Sequence, residues 1–82
     1  MSYWVYMMRC ADGSIYTGIT TDVERRTEEH NSSDGRGAKY TRSRRPVEPV
    51  YREELPDKSS ALKREAAIKK LTHAEKLRLI EK

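Results

Sequence analysis

The sequence predicts an α+β domain: a three-stranded antiparallel sheet flanked by about three helices. Three observations carry this. Two runs of strand-forming residues, 3–10 and one starting near Ser14, are joined by Ala11-Asp12-Gly13, a hairpin signal. Two capping-box matches, Thr21 with Glu24 and Thr72 with Glu75, each open a segment of helical character. The order strand, strand, helix, strand, helix, helix then suits helices packed on a sheet whose first two strands are chain neighbours.

The first strand, 3–10, is apolar and aromatic with little polar alternation, as expected of a strand covered on both faces. The hairpin loop decides where two tyrosines go. A two-residue Asp-Gly loop would put Tyr6 and Tyr16 on opposite faces. A three-residue loop with Gly13 in the left-handed conformation pairs Cys10 with Ser14, Met8 with Tyr16 and Tyr6 with Gly18. Tyr6 and Tyr16 then become diagonal neighbours on one face, with β-carbons about 5–8 Å apart. This second register is the one expected here.

The Thr21–Glu24 box opens a helix near Asp22 that runs to Asn31. Arg26 and His30, four apart, share one of its faces. Asn31, Ser32, Ser33, Asp34, Gly35 and Gly37 end it and begin a loop that continues to Pro46. Pro46 and Pro49 delay the third strand or place it at an edge, with Val50, Tyr51 and Arg52 at its centre. Pro56 and Asp57 close it. Ser59 or Ser60 caps a second helix that reaches about Leu71. Ala61, Leu62, Ile68 and Leu71 form its apolar stripe, and Glu65 falls inside that stripe. An unpaired carboxylate there would be costly, so a metal or a basic partner is expected. A last helix spans about 73–81.

Residues 1–82 make one small domain with a modest core. The single cysteine, Cys10, excludes an internal disulfide and a zinc site built on several cysteines, and fits a reducing, cytoplasmic setting. Cys10, Tyr3 and Trp4 read as packing residues, and His73 as surface. The N-terminal residues do not read as a signal peptide, and no apolar run approaches membrane-spanning length. The net charge of +4 and the pI of 9.4 suit a polyanionic partner. Residues 35–45 concentrate that charge in Arg36, Lys39, Arg42, Arg44 and Arg45, with no acid and with Tyr40 among them. Such cations would take phosphates and Tyr40 would stack on an exposed base, positioning nucleic acid without reading its sequence. The plainer reading is a solubilising loop.

Trp4-Val5-Tyr6, Tyr16-Thr17-Gly18, Arg26, His30 and Glu65, in this order and spacing, resemble the GIY-YIG nuclease superfamily. The first triplet keeps only its tyrosine, the second its tyrosine and glycine. Gly-Ala-Lys-Tyr-Thr at 37–41 and Arg-Arg-Pro at 44–46 resemble small stand-alone bacterial members of the excision-repair and structure-selective endonuclease branch. The extra domains of the larger repair nucleases are not in these residues, and the late asparagine of some members has no match, since only Asn31 is present.

The resemblance implies an endonuclease that hydrolyses DNA with one Mg²⁺ or Mn²⁺, on branched, flapped or single-stranded forms. It implies Tyr6 as general base or water-orienting group, Arg26 on the scissile phosphate, and Tyr16 on the phosphate or the water. His30 would shuttle a proton or position Tyr6, and Glu65 would hold the metal. The product ends would be 3′-hydroxyl and 5′-phosphate. One carboxylate suffices for Mg²⁺, which keeps most of its waters. A free phenol with a pKa of about 10 is a poor base at neutral pH unless its surroundings lower that value. RNA as a second substrate, a protein partner, and a monomer or weak dimer stay open. The alternative is a nucleic-acid-binding module that keeps the fold but cuts weakly or only with a partner. A small structural domain is the remotest reading. Each residue also has a plain alternative: strand aromatics for Tyr6 and Tyr16, a solvated helix face for Arg26 and His30, and an i,i+4 pair with Lys69 for Glu65.

Overall fold

The computed structural model describes residues 2–32 and 35–81. Ser33 and Asp34 of the expected loop lie outside them. Strands β1 (Tyr3–Arg9), β2 (Ile15–Thr20) and β3 (Glu48–Leu55) form one antiparallel sheet in the order β2-β1-β3. The central strand β1 buries Val5, Tyr6, Met7 and Met8 in succession, because both of its faces are covered. The hairpin takes the expected register: Met8 lies opposite Tyr16 and Tyr6 opposite Gly18. Gly13, at φ +85°, supplies the left-handed residue, and its N–H donates to the Cys10 carbonyl at 2.9 Å.

Strand β3 begins earlier than expected, at Glu48, and includes Pro49. It is an edge strand whose pairing shifts register between Met7 and Met8, with Met7 opposite Tyr51 and Met8 opposite Pro49. An edge with a register shift is where a strand tolerates a residue that lacks an N–H.

Helices α1 (Val23–Asn31), α2 (Lys39–Arg42), α3 (Lys58–Lys69) and α4 (His73–Glu81) complete the chain. Two caps differ from expectation, each by the same competition. Asp22, rather than Thr21, caps α1, its carboxylate accepting from Arg25 N at 3.0 Å. Glu24 does not reach back to the cap, but pairs with Arg52 at 2.7 Å. Asp57, rather than Ser59 or Ser60, caps α3, accepting from Ser60 N at 2.7 Å. In both places an aspartate sits where its oxygen meets the first free amides, so the hydroxyls are not needed. The Thr72–Glu75 box forms in both directions, Thr72 N to Glu75 Oε1 at 2.8 Å and Glu75 N to Thr72 Oγ1 at 3.2 Å.

The one-turn helix α2 lies inside the basic loop, where the sequence pattern gives no helix. It is held by tertiary contacts of Thr41 rather than by helix propensity, and a single turn has no local sequence signature. Asn31 fastens the end of α1 to the start of β3. Its side-chain amide accepts from Val47 N at 2.7 Å and donates to Val47 O at 3.0 Å.

The two sheet faces carry different cores. Val5, Met7 and Ile15 pack with Ala61 and Ile68 of α3, with α4 residues Leu77, Leu79 and Ile80 at the margin. Tyr6, Met8, Cys10, Val23 and Val47 form the other core, with Trp4 and Tyr16 against it. Leu62 departs from the expected stripe and is 45% exposed, leaving Ala61, Glu65 and Ile68 as the inward face of α3.

Candidate active site

The site begins with Tyr6, whose strand position sends it to the α1 side of the sheet. Its phenol lies across Gly18. A β-carbon at position 18 would sit 2.5 Å from Tyr6 Oη and 2.7 Å from its Cζ, so no larger residue fits without moving the ring. The tyrosine and the glycine of the second triplet therefore have separate jobs: one contributes a ring, the other makes room for the first tyrosine.

Tyr6, Tyr16 and His30 form a three-ring cluster. The Tyr6 and Tyr16 centroids are 6.3 Å apart, and Tyr16 meets His30 edge-on at 5.2 Å. Tyr6 Oη lies 2.9 Å from His30 Nε2. His30, in the last turn of α1, is 1% exposed, and Nδ1 on its other side faces Thr41 Oγ1 at 2.9 Å.

Arg26, one turn earlier on α1, is held in place by its neighbours. Nη1 donates to Glu29 Oε1 at 2.8 Å and to the Arg36 carbonyl at 2.9 Å, and the guanidinium lies near enough to the Tyr6 hydroxyl to influence its titration. Sequence reading missed Glu29, although its i,i+3 spacing from Arg26 was available as a signal. It also missed Thr41, for which no local pattern exists, because the contact crosses from α1 to α2.

Electrostatics follow from burial. Burial pushes the Tyr6 phenol up to about 12, against the pull of Arg26, and the Tyr16 and Glu65 charges add to the rise. Burial, and then the Arg26 charge, push His30 down to about 4, so the ring is neutral at pH 7. Burial opposes the Arg26 charge, but its hydrogen bond to Glu29 and the nearby Tyr6 hydroxyl outweigh that and leave its pKa raised. Glu29 is lowered mainly by its hydrogen bond from Arg26.

Glu65 stands on α3, which packs on the other face of the sheet. Its side chain is 17% exposed, and its charge is felt at Tyr6. The i,i+4 pair with Lys69 also forms, at 3.6 Å. Among the described residues no cluster of three histidine, cysteine or acidic side chains could hold a metal. A lone, partly buried carboxylate fits a hard ion such as Mg²⁺ or Mn²⁺ that keeps most of its water, and does not fit zinc.

The basic segment divides in two. Arg44 is committed: Nε to Asp12 at 3.1 Å, Nη1 to the Tyr40 carbonyl at 2.7 Å, and its guanidinium 4.0 Å from the Tyr40 ring centre. Arg45 is committed to the carbonyls of Arg42, at 3.1 Å, and Ser32, at 2.5 Å. The Tyr40 ring stacks on Tyr16 at 5.7 Å, so it is part of the site wall rather than an isolated platform. Lys39 and Arg42 on α2 are exposed, and their side chains make no ion pair with a described residue. Arg36 is exposed too, with its carbonyl on Arg26.

Known proteins share both the sequence pattern and the fold. The family described as the GIY-YIG catalytic domain matches residues 2–78. A UPF0213 protein of Desulfotalea psychrophila is 56% identical over 98% of this chain and 72% of its own length. A UPF0213 protein of Staphylococcus aureus is 55% identical over 98% of this chain and 95% of its own. Two solution NMR structures share the fold. A UPF0213 protein from Bacillus halodurans has a TM-score of 0.62 at 43% identity, covering 99% of this chain and 84% of that one. A protein from E. faecalis has a TM-score of 0.63 at 45% identity, covering 96% and 83%.

Proposed function

We propose that this protein, which belongs to the GIY-YIG catalytic-domain family, is an endonuclease that hydrolyses DNA phosphodiester bonds with the help of one divalent metal. The observation that carries the reading is the meeting of Tyr6, Tyr16, Arg26 and His30 on one sheet face, with the Glu65 charge felt at Tyr6.

In this reading Arg26 holds the scissile phosphate. Glu29 and the Arg36 carbonyl fix its direction beforehand, so little order is lost when substrate arrives. Tyr6, neutral with a pKa of about 12, orients the attacking water or a phosphate oxygen by hydrogen bonding. Tyr16 lies beside it and completes the polar wall. His30 stays neutral and steadies the Tyr6 hydroxyl. Glu65 holds Mg²⁺ or Mn²⁺, an ion that supplies charge neutralisation at the phosphate and the leaving oxygen when bound. Arg36, Lys39 and Arg42 take backbone phosphates, while Tyr40, Arg44 and Arg45 give the loop its shape. Branched, flapped or single-stranded DNA, in repair or recombination in the cytoplasm, is the substrate class of the excision-repair and structure-selective branch to which we assign it. RNA cleavage, a protein partner, and a monomer or weak dimer belong to the same proposal.

The raised Tyr6 pKa favours one second reading, a DNA-binding module whose cleavage is weak or partner-dependent. Labelled branched, flap and single-stranded substrates, with Mg²⁺ and with chelator, separate the two. Metal-dependent nicking that falls about 10²–10⁴-fold in Tyr6→Phe, and is lost in Glu65→Ala, supports the enzyme. Salt-sensitive binding without nicking leaves the module.

A further inference from the structure

The outer face of α3 carries cations and no acid. Ala61, Glu65 and Ile68 turn toward the sheet. At 100° per residue, Ser59, Lys63, Ala66 and Lys70 fall on the opposite side, and all four are exposed. Lys70 is the C-cap and keeps helical backbone angles. The only acid of α3, Glu65, is turned inward and takes Lys69. A helix that needs only solubility interleaves its cations with acids three or four positions away. Helix α1 does so, pairing Arg25 and Arg26 with Glu29. Between Lys63 and Lys70 the corresponding positions hold Ala66 and Ala67. Neither lysine makes an ion pair with a described residue. Asp57 feels the Lys63 charge from the cap position, where its carboxylate accepts from Ser60 N at 2.7 Å.

We propose that this face, built on Lys63, Ala66 and Lys70, is a second DNA-binding surface, which holds a phosphate backbone away from the cleavage site. The two lysines are seven residues apart, just under two turns, so they stand nearly in line about 10.5 Å apart along the helix. The alanine between them is too short to keep a backbone at a distance. Each lysine that meets a phosphate releases a counterion, and neither has an internal partner to give up first. The occupant is a polyanion rather than a protein. Among the described residues Leu62 is the only large apolar side chain exposed on α3, at 45%, too little for an apolar interface. The surface also lies across the sheet from α2. Helix α3 packs on Val5, Met7 and Ile15, whereas α1, joined to α2 through His30 and Thr41, covers Tyr6. Lys39 and Arg42 therefore meet one segment of DNA, and Lys63 and Lys70 another. The inference deepens the nuclease reading and rests on it for the identity of the polyanion.

Fluorescence anisotropy in chelator measures binding on the intact chain without cleavage. Two probes are compared over a range of salt: a three-way DNA junction, whose arms can reach both sides of the sheet, and a short single strand sufficient for the α2 side alone. Lys63→Gln combined with Lys70→Gln keeps side-chain length and helix propensity. On the junction it should lower the salt slope by about 1.4–1.8, two phosphate contacts at 0.7–0.9 each. The slope for the short strand should stay at the wild-type value. Ala66→Glu should raise the melting temperature slightly, by pairing with Lys70 at i,i+4, and yet weaken junction binding, an opposition that a merely structural face would not show. A wild-type slope for the double variant on the junction overturns the inference. So does an equal fall on both probes, and so does binding to phosphatidylglycerol vesicles that the junction does not displace. A wild type that binds in this pattern but cuts neither probe with Mg²⁺ refutes the nuclease reading and leaves this inference standing. A wild type that cuts the junction, with an unchanged slope in the double variant, removes the inference and leaves the reading.

Discussion

The two faces of the sheet use the same strands under different rules. Toward α3 the strands present Val5, Met7 and Ile15, which have no hydrogen-bonding side-chain groups and pack on Ala61 and Ile68. Toward α1, one residue further along β1, they present Tyr6, whose hydroxyl meets His30, with Thr41 behind it. The first face gains stability from apolar burial. The second gives up some of it to buried polar groups that are tolerated because each is hydrogen-bonded. The contrast is not perfect. Thr17, on the strand face away from Tyr16, is buried, and its hydroxyl has no hydrogen-bond partner among the described residues. The contrast teaches that alternation along one strand can separate what holds a small domain together from what it does.

Substitutions can break or sharpen this division. The largest effect should come from the apolar face. Ile68→Ala, at a wholly buried position, should cost about 2–5 kcal/mol of stability in urea unfolding. A loss below about 1 kcal/mol would mean that this face is not the main support. Next is Gly18→Ala, which displaces the Tyr6 ring. Cleavage should fall about 100-fold while the far-ultraviolet CD spectrum stays native. Undiminished cleavage would show that Tyr6 need not lie across position 18.

The polar face should contribute a pH effect through its histidine. His30 titrates at about 4 in the fold but at about 6.5 in the unfolded chain. Between those values the unfolded state binds more protons, so stability rises with pH through this window and is fully present above it. His30→Phe should flatten that slope in unfolding curves taken from about pH 4 to 7, and Ile68→Ala should not. The smallest effects divide the basic segment. Lys39→Ala and Arg42→Ala should each lower the salt slope of DNA binding by about 0.7–0.9, one phosphate contact apiece. Arg44→Ala should act differently, lowering stability and loosening Tyr40 from Tyr16, because its charge is already used by Asp12. Equal salt slopes for all three would erase the distinction.

Local chemistry was sufficient for a good part of this protein. The hairpin register, the pairing of Tyr6 with Gly18, the Thr72–Glu75 box and the Arg26–His30 face all depend on residues a few positions apart, or on one turn. Aspartate competing with neighbouring hydroxyls explains both misplaced caps, at Asp22 and Asp57. The exposure of Leu62 has a different cause, since periodicity defines a stripe but not how much of it the partner sheet covers. Tertiary structure alone decided that Thr41 lies against His30, that Asn31 ties down Val47, and that Arg44 and Arg45 brace their loop. Each of these joins segments 11 to 16 residues apart, or, for Arg44 with Asp12, 32 apart. Contacts at that separation follow from how elements pack in space, and no spacing along the chain encodes them.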